Sequence, residues 1–127
     1  MKEQIVSRIA VIILAIVMIV FGIYHFLHPR DMLNFVPNFL PGGIKLIYVV
    51  GFAYVLAGIA LLLHKWVKIA GYLLAVLLFG SVLIIHLPNY FNSGDIETQR
   101  LSLVNFILKD LAIAAFALYV ASNAQKI

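Results

Sequence analysis

The chain has 127 residues, of which 65% are hydrophobic and 11% charged, and its formal net charge is +4. A soluble domain of this length has too little interior to bury so much apolar surface, so the composition predicts an integral membrane protein. The basic residues are scattered along the sequence, which suits anionic lipid head groups and does not indicate a nucleic-acid-binding surface. Because the chain contains no cysteine, dithiol–disulfide chemistry and thiolate metal sites are excluded.

Several apolar stretches are long enough to cross a bilayer, which takes about 20 residues of helix. They cover approximately residues 5–27, 44–63, 67–87 and 102–121. The first stretch follows Lys2 and Arg8 as a signal peptide would, but it continues into FGIYHFLHP with no small-residue cleavage site behind it. It is therefore expected to be an uncleaved helix. The predicted fold class is all-α, with residues 1–127 forming one bundle of four transmembrane helices.

The connections between these stretches differ in length and character. Residues 28–43 contain three prolines and a Gly-Gly pair, so we expect an ordered, non-helical crossing. Its apolar residues favour a lid on the outer mouth of the bundle over a loop that only dips into the interface; they are Phe35, Val36, Pro37, Phe39, Leu40 and Pro41. Residues 64–68 predict a tight helical hairpin with a tryptophan at interface level. Residues 88–100 carry Asn, Ser and Gly turn residues before the fourth helix.

The positive charges near the ends of the spans favour a cytoplasmic location for both termini. On the side of the termini and the short hairpin lie Lys2, Arg8, Lys65, Lys68 and Lys126, and on the other side lie Arg30, Lys45 and Arg100. In this orientation both long connections are outside, and the polar residues of the spans lie in the outer half. A site among them would open outward.

One face of each predicted helix combines small residues with a polar outlier, as expected where membrane helices pack closely. The residues on these faces are Ala15, Met18, Gly22 and His25 in the first helix, Gly51, Tyr54 and Gly58 in the second, Gly71, Ala75, Val82 and His86 in the third, and Asp110, Ala114, Ala117 and Ala121 in the fourth. We expect these faces to meet in the core of the bundle.

Lys109 and Asp110 are adjacent charges within the fourth apolar stretch, where each costs roughly 2.5–3.5 kcal/mol at the centre of a membrane helix. They are about 100° apart around the helix and are not expected to pair with each other. Lys109 is long enough to reach the outer surface, whereas Asp110 is too short and requires a partner inside the bundle. The candidates are Arg30, His25, His86, the Tyr54 hydroxyl and Lys109 of a neighbouring chain.

Several motifs resemble the DoxX family of small four-helix membrane proteins over residues 21–120. They are FGIYHFLHPRDMLNFVPNFLP, VVGFAYVLAGIALLL, HLPNYFN and LVNFILKDLAIAAFAL. The resemblance implies a four-helix bundle in the bacterial inner membrane, among relatives linked to quinone-coupled sulfur oxidation, oxidative-stress complexes and the handling of other membrane proteins. Many relatives carry Glu where this chain has Tyr54, so a neutral phenol replaces an acid that could move protons or bind a cation.

Intramembrane ionisable groups indicate a functional site by default. The candidate ligand-binding residues are His25, Arg30, Tyr54, His86, Asn89, Asn105, Lys109 and Asp110. They favour a site for a quinone-like or other lipophilic molecule, with apolar walls formed by Tyr24, Phe26, Phe79, Tyr90 and Phe106. The resemblance to the DoxX family implies that such a protein is a redox-associated subunit. In the alternative, the polar network only sets helix register in a non-catalytic interaction or assembly protein, which acts on another membrane complex or forms a homo-oligomer.

Other functional classes are less favoured. A metal on His25 and His28, or a bis-histidine haem on His25 and His86, is conceivable from spacing alone. A transporter is disfavoured because the sequence has no inverted repeat. No nucleophile–base pair or cofactor fingerprint indicates an enzyme that acts alone.

Overall fold

The computed structural model describes residues 2–33, 42–92 and 94–126, and every element within these residues is helical. The α-helices are α1 (Lys2–Leu27), α2 (Pro29–Leu33), α3 (Ile44–Leu62), α4 (Val67–Ser81), α5 (Leu87–Asn92), α6 (Ile96–Ser102) and α7 (Lys109–Ser122). Two π-helical segments, Val82–His86 and Leu103–Leu108, join α4 to α5 and α6 to α7, and a 3₁₀ turn, Ala124–Lys126, follows α7.

Because the π-helical segments join their neighbours without a break, the described residues form four helices that are long and apolar enough to cross a membrane. These are the first span (Lys2–Leu27), the second (Ile44–Leu62), the third (Val67–Asn92) and the fourth (Ile96–Ser122). The all-α prediction with four spans of this kind is confirmed. The predicted lid residues lie outside the described part of the chain.

The connection between the third and fourth spans is shorter than the turn residues in 88–100 predict. The third span continues to Asn92 and the fourth begins at Ile96. Asp95 caps the fourth span: its carboxylate accepts from the Glu97 N–H at 3.3 Å and from the Thr98 hydroxyl at 3.1 Å. A single capping residue therefore starts the helix, and the expected longer loop was wrong.

The third span passes through Pro88 without ending. A proline has no N–H to donate, and in an α-helix its ring clashes with the carbonyl four residues earlier. Here the π-helical segment Val82–His86 ends two residues before Pro88, and the Leu87 N–H donates to the Val82 carbonyl, five residues back. The wider turn accommodates the proline ring, so the helix extends to Asn92.

The spans pack in two close pairs, and glycine permits the approach in each. A Cβ added to Gly22 of the first span would lie 2.7 Å from the Gly51 carbonyl oxygen of the second. A Cβ added to Gly71 of the third span would lie 2.8 Å from the Ala117 carbonyl oxygen of the fourth. Backbones approach this closely only where side chains are absent, which is how helices associate in lipid.

The predicted inward faces form the core. All of their residues are buried except His86, which is half-buried. The opposite faces carry large exposed apolar side chains, among them Ile13, Val49, Val76 and Tyr119. An apolar exterior of this extent matches a surface that faces lipid.

The hairpin between the second and third spans is tight, as its sequence predicts. The Lys65 N–H donates to the Ala60 carbonyl at 2.9 Å, and His64 has a positive φ of 58°. This is the Schellman geometry that ends many helices, with histidine in the position that glycine usually takes. Trp66 follows with a φ of 54° and is exposed.

Candidate functional site

All four spans contribute to a cavity of about 150 Å³. Its wall is mostly apolar and is formed by Phe21, His25, Leu46, Ile47, Val50, Tyr54, Ser81, Ile85, His86, Phe106, Lys109 and Asp110. In another protein, an apolar cavity of about this volume stays dry and binds benzene. The cavity is therefore large enough for one six-membered ring.

Asp110 is 2% exposed and has partners on both sides. Its Oδ2 lies 3.2 Å from His86 Nε2, and its Oδ1 lies 3.4 Å from Lys109 Nζ. The expectation that Asp110 requires a partner inside the bundle is confirmed. His86 was among the candidates, and the contact links the third span to the fourth.

The expectation that Lys109 and Asp110 do not pair within one chain was wrong. The Lys109 side chain is long and flexible enough to bring its ammonium back to the neighbouring carboxylate. The ammonium also lies 4.8 Å from the centroid of the Phe21 ring, within reach of a cation–π interaction. With 43% of its side chain exposed, Lys109 forms the part of the cluster nearest the surface.

Asp110 Oδ1 has an ion-pair neighbour but accepts no hydrogen bond from the residues described. The 3.4 Å separation from Lys109 Nζ exceeds the 2.7–2.9 Å typical of charge-assisted hydrogen bonds. We therefore treat the Lys109 contact as a Coulombic attraction that leaves the lone pairs of Oδ1 unused.

His25 is fixed by its own helix and by a glycine on the next span. Its Nδ1 lies 2.8 Å from the Phe21 carbonyl oxygen, which can only accept, so Nδ1 carries the proton. In the neutral imidazole, Nε2 is then an acceptor. The ring packs edge-on against Phe21 and Tyr54, with centroid distances of 5.1 and 5.4 Å. A Cβ on Gly51 would lie 2.6 Å from the His25 Cβ, so this glycine makes room for the imidazole.

Tyr54 and His86 complete the polar part of the wall. The Tyr54 hydroxyl is a hydrogen-bonding neighbour of Ser81, which connects the second span to the third. The His86 ring stacks on Phe106 with a centroid distance of 5.1 Å and an interplanar angle of 11°. The same imidazole thus contacts Phe106 through its face and Asp110 through Nε2.

Three predicted ligand-binding residues do not line the cavity. Arg30 is exposed on α2, where it borders a separate surface pocket. Asn89 is half-buried on α5 and has interactions of its own. Asn105 is exposed on the π-helical segment Leu103–Leu108.

The aromatic walls differ from the prediction. Of the five predicted aromatic residues, only Phe106 lines the cavity, and Phe21, which was not predicted, lines it as well. Ser81 was also missed. Phe21 could have been found, since it lies four residues before His25 on the same helix face. Ser81 lies five residues before His86, a spacing that shares a face only because a π-helical turn intervenes.

His25 and His28 do not form a common ligand pair. His28 is exposed, its ring centroid lies 4.6 Å from that of Tyr24, and its Nδ1 lies 3.7 Å from the Asp31 carboxylate. His25 is buried against Phe21 and Tyr54 instead. The two imidazoles therefore face different surroundings.

The fold and the cavity define a class: an all-helical protein with four helices able to cross a membrane and a charged cluster buried between them. Residues 14–121 match DUF8561, a domain of unknown function, and the chain belongs to this family. The matched segment contains every residue that lines the cavity. No curated protein and no solved structure matches the chain.

Proposed function

We propose that this chain is a multi-pass protein of the bacterial inner membrane, with both termini cytoplasmic, that binds the head group of a quinone-like lipophile. The observation that carries the proposal is a one-ring cavity whose apolar wall surrounds a buried charged cluster. Its resemblance to the DoxX family, with relatives linked to quinone-coupled oxidation, supports a redox-associated subunit. The cavity would open toward the outer side of the membrane.

The wall suits a flat ring with a polar substituent. Phe21 and Phe106 supply aromatic surface, while Asp110, His86 and Lys109 supply the polar groups. Small-molecule sites have this composition: mostly apolar walls that bind the body of the ligand, and a few converging polar groups that orient it. The low dielectric around a buried cluster also strengthens each polar contact.

The residues of the cavity can bind the ring of the ligand and fix its orientation. An oxygen atom of the ring could accept a hydrogen bond from the Lys109 ammonium. His86 stacks on Phe106 and holds Asp110, so the polar end of the cavity is preorganised. As a redox-associated subunit, the chain would position the ring while a partner protein exchanges electrons with it.

Replacing His86 with alanine is expected to weaken binding of a short-tailed quinone by about tenfold or more, because it removes the partner that holds Asp110 in place. Binding would be measured on purified protein in lipid nanodiscs by titration with decylubiquinone, with empty nanodiscs subtracted. Circular dichroism would verify that the variant remains helical.

His28→Ala is the matched control. His28 is a histidine that directly follows the first span, and it does not line the cavity. It is expected to bind as the wild type does. Unchanged binding in both His86→Ala and Asp110→Ala would remove the proposal.

A second candidate is a non-catalytic protein that stabilises or assembles another membrane complex. The observation that favours it is the His86–Asp110 contact, which joins the third and fourth spans and could serve only to set their register. Crosslinking in native membranes would then recover a specific partner from protein without a bound small molecule. Failure to recover any partner at native expression would count against this candidate.

A further inference from the structure

We infer that the ligand of this cavity carries a hydroxyl group on its ring, as a phenol or a quinol does, and that Lys109 and Asp110 together recognise this hydroxyl. The inference rests on the proposed function, because it requires that the cavity binds a ring. It adds the chemical class of the ligand and the preferred state of its oxygen: a hydroxyl is expected to bind more tightly than a carbonyl or an ether.

The first observation is the unused acceptor. Asp110 is 2% exposed and lines the cavity, and its Oδ1 accepts no hydrogen bond from residues 2–33, 42–92 or 94–126. A buried polar atom without a hydrogen bond is costly, and more so when it is charged. The site therefore favours a ligand that brings a hydrogen-bond donor.

The donor is expected to be neutral. Lys109 Nζ already lies 3.4 Å from Oδ1 and supplies a positive charge to the carboxylate. A cationic ligand would be repelled by this ammonium at short range, in surroundings that screen charge poorly. Amines and metal cations are thus disfavoured, and a hydroxyl is favoured.

The spacing of the ion pair fits one hydroxyl group. With Nζ and Oδ1 3.4 Å apart, a single oxygen can lie about 2.8 Å from both atoms. A hydroxyl can accept from the ammonium and donate to the carboxylate at the same time. A carbonyl or an ether oxygen can only accept, so it would leave Oδ1 unsatisfied.

The remaining wall indicates an aromatic carrier for this hydroxyl. Phe21 lies beneath the Lys109 ammonium, and Phe106 lies beside His86 in a parallel stack. The cavity of about 150 Å³ has room for one ring of benzene size. A phenol head group places the hydroxyl at the ion pair and its ring against these side chains.

The test compares 4-methylphenol with 4-methylanisole, which share the ring and differ in the ability to donate. Binding to wild-type protein in nanodiscs would be measured by calorimetric titration, after subtraction of partitioning into empty nanodiscs. We expect the phenol to bind roughly tenfold to a hundredfold more tightly, since the ether leaves a buried charged acceptor unpaired. Equal binding of the two, or binding of neither while decylubiquinone binds, would overturn the inference and leave the proposed function intact. Binding of none of the three compounds would overturn both.

Asp110→Leu removes the acceptor and keeps a side chain of similar size. Its affinities for the two compounds are expected to agree within about twofold, because the cavity no longer offers the carboxylate acceptor to either of them. Asp31→Leu, at an exposed carboxylate outside the cavity, is expected to keep the wild-type preference. A preference for the phenol that survives in Asp110→Leu would contradict the role given to Oδ1. The comparison on the wild type tests the inference even if that variant does not fold.

Discussion

Replacing Lys109 with methionine is expected to lower the free energy of unfolding by about 3 kcal/mol, because it leaves Asp110 buried without its positive partner. The remaining contact, from Oδ2 to His86 Nε2 at 3.2 Å, involves the other carboxylate oxygen and leaves Oδ1 without the ammonium. Methionine keeps much of the length and flexibility of lysine, so the change removes the charge more than the packing. Unfolding by sodium dodecyl sulfate, followed by circular dichroism, would measure the loss.

The double variant Lys109→Met/Asp110→Leu separates the loss of an ion pair from the loss of a side chain. Replacing Asp110 together with Lys109 leaves no buried charge without a partner, so this protein is expected to unfold within about 1 kcal/mol of the wild type. Lys45→Met, at an exposed lysine in the first turn of α3, is the control and is expected to change little. A single Lys109→Met variant within about 0.5 kcal/mol of the wild type, the range of ordinary surface substitutions, would show that the ion pair does not stabilise the fold.

Gly22→Ala is expected to destabilise the bundle by about 3 kcal/mol, because the added methyl group has no room between the first and second spans. A Cβ at this position would lie 2.7 Å from the Gly51 carbonyl oxygen and 2.9 Å from the Val55 backbone nitrogen. These atoms belong to a helix backbone, so they cannot rotate away as a flexible side chain would. The two spans must separate, and the buried contacts along them are weakened.

Gly80→Ala is the matched control. A Cβ at Gly80 would meet no atom of the described residues within 4 Å, and the position is inside a helix, at the end of α4. Alanine is favoured over glycine there by roughly 0.5–1 kcal/mol, so this variant is expected to be at least as stable as the wild type. The same detergent titration would compare both proteins. Equal stability of Gly22→Ala and Gly80→Ala would contradict the close approach of the first two spans.

That Asp110 needs a partner inside the bundle could be inferred from the sequence, whereas the geometry of its contacts could not. A carboxylate too short to reach water must be satisfied by protein, and that argument requires only chain position and side-chain length. The pairing with Lys109 depends on the rotamer of its long side chain, and contacts with neighbouring spans determine this rotamer. The exclusion of Arg30 from the cavity likewise depends on the short helix α2, which has no clear signal in local composition.

The sequence by itself determined the number of helices long and apolar enough to cross a membrane, and the small-residue face that each of them buries. Hydrophobic length and the spacing of small residues are local properties, and the packing of apolar helices follows from them. Only the tertiary structure decided which side chains share one cavity. The π-helical segment Val82–His86 brings Ser81 and His86, five residues apart, to one cavity, and contacts between spans select the orientation of each polar side chain. Those effects arise between segments distant in the chain, so no single stretch of residues specifies them.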